Sequence, residues 1–128
     1  MISVEKIINK LIFGTKSNKY KWFYLSDKGR SIVDICDNFV TYYDYQQNTL
    51  NTSDSFILNF NEGYLALCED SYSNLLLIVI PSLDSKDIQC INNYLAPDFQ
   101  QELLRLQNLI KKQFPNVEDF LNEFMDEN

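Results

Sequence analysis

Val4, Ile7, Ile8, Leu11 and Ile12 fall at the one-face spacing of an amphipathic helix, with Ser3 placed to cap it and Gly14 placed to stop it in a left-handed turn. Residues 16–19 are polar and read as a connector. Residues 20–26 are dense in aromatics and predict a strand, with Asp27-Lys28-Gly29 turning the chain. Residues 30–36 then predict the returning strand, and Asp37-Asn38 a turn into a third strand over 39–45. The Asn- and Thr-rich residues 46–55 predict a loop or a short helix.

From Phe56 the alternation is clean: Phe56, Leu58 and Phe60 share one face, Ile57 and Asn59 the other. Asn61-Glu62-Gly63 closes a hairpin into residues 64–68, and residues 69–74 predict a second loop. Residues 75–80 are apolar throughout, the pattern of a strand covered on both faces. After Pro81 the pattern becomes helical. Asp84 or Ser85 can cap a helix carrying Ile88, Ile91 and Leu95, and Pro97 restarts it. Phe99, Leu103, Leu106, Ile110 and Phe114 then stripe a longer helix. Beyond Pro115, Asn116 and Asp119 resemble a capping box ahead of Val117, Phe120, Leu121 and Phe124. The expected architecture over residues 1–128 is one α+β domain: an N-terminal helix, an antiparallel sheet of about five strands, and two to three C-terminal helices packed on one face.

In element order alone this arrangement resembles roadblock/longin-like dimerisation modules and the small acidic chaperones of type III secretion. The mid-chain helix that either would place is not evident between Tyr45 and Phe56. The resemblance implies a homodimeric scaffold, an adaptor or a secretion-chaperone-like module, and fold analogy alone carries function weakly.

Composition narrows the functional classes. Hydrophobic residues at 45% and aromatics at 14% exclude a disordered tail. There is no histidine, so neither a Ser-His-Asp nor a Cys-His catalytic arrangement can be written. With only Gly14, Gly29 and Gly63, no phosphate-cradling glycine loop exists either. Carboxylate pairs remain, Asp34 with Asp37 and Glu69 with Asp70, but their parity on a strand turns each pair to opposite faces. The expectation is a non-enzyme without cofactor or metal. Cys36, Cys68 and Cys90 are odd in number and widely spaced, which argues against a disulfide framework and suits a reducing, cytoplasmic setting. Glu5, Lys6 and Lys10 interrupt any signal-peptide pattern, and the longest apolar run is too short to cross a membrane.

Charge then gives the chain a polarity. The first thirty residues carry seven bases against two acids, a net of +5, within an overall charge of −7. From Ser31 to Ser85 there is no lysine or arginine, where average composition would place about five. That stretch holds Asp34, Asp37, Asp44, Asp54, Glu62, Glu69, Asp70 and Asp84. An acidic surface argues against nucleic acid and for a partner protein with a basic surface. The candidate partner-binding residues are Asp34, Asp44, Glu62, Glu69 and Asp70 for steering, with Tyr42, Tyr43 and Tyr72 as anchors. The function this predicts is that of a small acidic inhibitor, of the immunity or anti-CRISPR type, covering the basic groove of a nuclease-like protein. The first alternative is the homodimeric scaffold, with Phe99, Leu103, Leu106 and Ile110 as its dimer face. The second is an RNA-binding module built on the cations and rings between Lys16 and Arg30.

Overall fold

The computed structural model describes residues 2–42, 48–92 and 98–127, with side chains from 41 and 42 left aside. Helix α1 (Val4–Lys16) leads to the short strand β1 (Phe23–Tyr24), a 3-10 turn (Leu25–Lys28) and helix α2 (Arg30–Tyr42). Strands β2 (Leu50–Phe60), β3 (Gly63–Asp70), β4 (Leu75–Ile80) and β5 (Gln89–Cys90) follow, then helices α3 (Gln100–Lys111) and α4 (Val117–Asp126). The described strands form one antiparallel sheet in the order β1-β2-β3-β4-β5. The class is α+β, with the N-terminal helix, the five-stranded sheet and two C-terminal helices expected from the hydrophobic pattern.

Ser3 caps α1, its hydroxyl accepting from the Lys6 amide at 3.5 Å. Gly14 does not end the helix. It lies inside α1 against the Tyr20 ring, where any Cβ would collide with that ring. Asn18 takes the left-handed conformation instead (φ 61°), and the amides of Lys19 and Tyr20 both return to the Gly14 carbonyl at 2.8 and 3.0 Å.

The largest departure from expectation is α2. Residues 30–42, read as two strands around an Asp37-Asn38 turn, form one helix that starts after Gly29 at φ 100°. Ile32, Cys36 and Val40, four residues apart, are all buried, so one face is apolar at helical period. Propensity was overridden by packing: Val and Ile lose little in a helix whose apolar stripe has a sheet to cover. The strand expected over 20–26 shrinks to Phe23–Tyr24 for a related reason, since Leu25 turns inward and is wholly buried.

The sheet is consequently covered on both sides. On one face Phe56, Leu58, Leu67, Leu75 and Leu77 pack with α1 (Ile8, Leu11, Ile12) and α3 (Leu103, Leu106, Ile110). On the other, Ile57, Ala66, Cys68, Leu76, Ile78 and Ile80 pack with α2 and Leu25. The apolar run 75–80 feeds both cores alternately, as its lack of polar alternation implied. The hairpin at Asn61-Glu62 also forms, with Phe60 opposite Gly63 and Asn61 at φ 52°.

No helix forms around residues 84–91. Ser85 caps only a local turn, accepting from the Asp87 amide at 3.0 Å, and Gln89–Cys90 joins the sheet as an edge strand beside β4. The expected continuation through Leu95 and Pro97 lies outside the described residues. Helix α3 opens at Phe99, whose φ is 62°, and α4 opens at Asn116, whose side chain accepts from the Asp119 amide at 2.7 Å.

Candidate protein-binding surface

Among the described residues, the acids expected to steer a partner, Asp34, Glu62, Glu69 and Asp70, do not assemble into one face. Asp34 is exposed on α2, where the Arg30 guanidinium one turn earlier meets it at 3.3 Å. Glu62 is exposed in the β2–β3 turn, whereas Asp70 closes β3 eight residues later, about 26 Å away along an extended strand. Tyr72 is exposed at the β3–β4 turn, near the Asp70 end. Tyr42 is the last residue of α2 rather than part of a strand, while Tyr43 and Asp44 lie outside the described residues.

Glu69 and Asp70 are not solvated loop charges, and this corrects their steering role. Both belong to β3. Asp70 is buried, and its carboxylate accepts from Asn48 Nδ2 at 2.8 Å, from the Tyr72 and Asn74 amides at 2.9 and 2.8 Å, and from Asn74 Nδ2 at 3.3 Å. Half-buried Glu69 accepts from Asn51 Nδ2 at 2.9 Å and from Gln107 Nε2 at 3.2 Å, joining β2, β3 and α3. Asp54 stands beside them with the Lys111 ammonium at 2.9 Å, and that hydrogen bond holds its carboxyl below the usual range. These carboxylates serve as structural acceptors.

The expected dimer face is likewise spent inside the chain. Leu103, Leu106 and Ile110 are 0% exposed and Phe99 is half-buried, all against α1 and the sheet. Of the four, only Phe99 keeps exposed surface. The basic aromatic segment is also largely engaged: Trp22 is buried with its indole N–H donating to Thr15 at 2.9 Å. The Tyr24 ring lies 4.4 Å from Phe114, and the Lys28 ammonium sits 4.2 Å from the Phe23 centroid.

What the structure does leave open is α4. None of its residues is buried, and Val117, Phe120, Leu121, Phe124 and Met125 are 49–76% exposed. They recur at the three-and-four spacing of one apolar stripe. The same segment carries Glu118, Asp119, Glu123, Asp126 and Glu127, and no base follows Lys112. Its root is firm. Gln113 donates to the Tyr20 carbonyl at 2.8 Å and accepts from the Trp22 amide at 3.0 Å, and Phe114 packs on Tyr24 and Phe56. The sequence marked this helix and its apolar stripe. It could not show that the stripe lacks a cover.

Among the described residues, no group of three or more Cys, Asp or Glu side chains is placed to hold a metal ion, and no buried side-chain polar atom lacks a partner. Placement raises two of the thiols. Hydrogen bonding to Cys36, with burial, holds the Cys68 thiol well above its usual pKa, and burial pushes Cys90 up to about 11. No helix among the described residues is long and apolar enough to cross a membrane. No protein-family model, curated protein or solved structure matches this chain.

Proposed function

We propose that this protein acts by binding another protein, without catalysis, and that α4 is its binding element. The observation that carries this reading is the uncovered apolar stripe of α4, flanked by acids and rooted on a rigid body. A large apolar stripe in water is costly, and a partner groove that takes it recovers that cost. An amphipathic helix laid into a groove is a common way for one protein to hold another. The acids add selection, because a groove rimmed by lysine or arginine is attracted at a distance and an acidic one is repelled.

The finer form of the proposal is inhibition: the acidic helix covers a basic, nucleic-acid-handling surface of a nuclease-like partner. Overall charge of −7 supports this, and so does the chain's lack of any histidine-based chemistry of its own. The steering role expected of Glu69 and Asp70 passes to Glu118, Glu123 and Asp126, which are exposed.

Affinity capture from the native host supplies the partner, and surface plasmon resonance supplies the rates. Association should slow steeply as salt rises, since exposed charges are screened beyond roughly 10 Å at 0.1 M ionic strength. Phe120→Ala should act mainly on dissociation, as expected for an anchor. A captured partner whose on-rate ignores salt, and whose off-rate ignores Phe120→Ala, contradicts the reading.

A further inference from the structure

The N-terminal half of the molecule carries a groove with the chemistry that α4 lacks. Ile7 and Leu11 of α1, Tyr20, Leu58 and Phe60 of β2, and Leu65 of β3 line an open apolar cleft of about 340 Å³. Phe60 is 64% exposed there. Lys6 and Lys10, both exposed, also line it, one helical turn apart. The groove is apolar with a basic rim, and α4 is apolar with an acidic one. Along α4 the acids Asp119 and Glu123 stand four residues apart, the same spacing as the two lysines, and Glu127 follows at the end of the helix.

We infer that the groove receives α4 of a second copy of this chain, in a reciprocal two-fold exchange. The inference rests on the reading of α4 as the binding element and names one partner for it. Charge is the first argument. The first thirty residues carry a net of +5, whereas the residues after Lys112 carry five acids and no base, so the two ends of one chain complement those of another. The root of α4 is the second. Gln113 is tied to Tyr20 and Trp22 and Phe114 is packed on Tyr24, so the helix leaves the body from a fixed point with none of its own residues buried. Reciprocity is the third, because a two-fold pair makes each helix-in-groove contact twice and closes on itself. A foreign partner of α4 would then compete with self-association.

The test uses the full chain in sedimentation velocity from low micromolar to near-millimolar concentration. A dimer is expected, and Phe120→Glu with Phe124→Glu should make it monomeric. Lys6→Glu with Lys10→Glu, at exposed positions, should weaken self-association at least tenfold. Mixing that chain with one carrying Glu123→Lys and Glu127→Lys should restore a heterodimer. Circular dichroism checks that each variant keeps its helix content. A monomer at every concentration overturns the inference, as does a dimer indifferent to the lysine and glutamate reversals. If the chain is monomeric and yet the α4 variants lose a foreign partner, the exchange falls and the reading of α4 stands. If foreign binding also survives Phe120→Glu with Phe124→Glu, that reading falls too.

Discussion

Asn48 donates from its side-chain amide to the Asp70 carboxylate at 2.8 Å, across 22 residues of sequence, and both residues are buried. The pair ties the entry to β2 to the end of β3, and the same Asn48 accepts from the amide and hydroxyl of Ser71 at 3.1 and 2.6 Å. A carboxylate in this position is an organiser of the β3–β4 turn.

Asp70→Ala should therefore destabilise the fold by about 2–3 kcal/mol, because it removes the charged acceptor that the Asn48 amide and two backbone donors now face. Urea denaturation reads this directly. A loss below about 0.5 kcal/mol, the range of ordinary surface substitutions, would mean that the carboxylate is solvated after all.

Leu106→Glu distinguishes a core position from a dimer seam. A charge forced into a fully buried site costs more than about 4 kcal/mol, so the variant should lose its cooperative melt by circular dichroism. A folded monomer would instead restore the seam on α3.

How much of this was legible follows from how local each signal is. The Ser3 cap, the Asn116 cap, the Asn61-Glu62 hairpin and the doubly covered strand at 75–80 depend on neighbours within a few residues, and all are visible in the sequence. Helix α2 was not, because its β-branched residues favour strand locally while the deciding contacts are with Ile57, Ala66 and Ile78, far along the chain. Asp70 was misplaced for the same reason: its partner Asn48 lies 22 residues away. The α4 stripe was legible as a pattern, but whether anything covers it is a tertiary fact.

The thiols give a pH dependence. The Cys90 thiol rises from an ordinary 9.0 to about 11 in the folded chain, so above pH 9 the unfolded chain releases its proton while the folded one holds it. The thiol's contribution is thus complete below pH 9 and is lost as pH climbs toward 11. Cys68, also raised, adds in the same direction. Urea midpoints of the native chain should fall faster than those of Cys90→Ala across that window. Parallel curves would show that Cys90 ionises freely.

The central claim, that α4 binds a partner and does not hold the fold, is tested most directly with a chain ending at Pro115. Because α4 has no buried residue, this chain should melt within about 3 °C of the full one. Surface plasmon resonance against the captured partner should then show binding lost. A shortened chain that binds that partner with undiminished affinity would contradict the account.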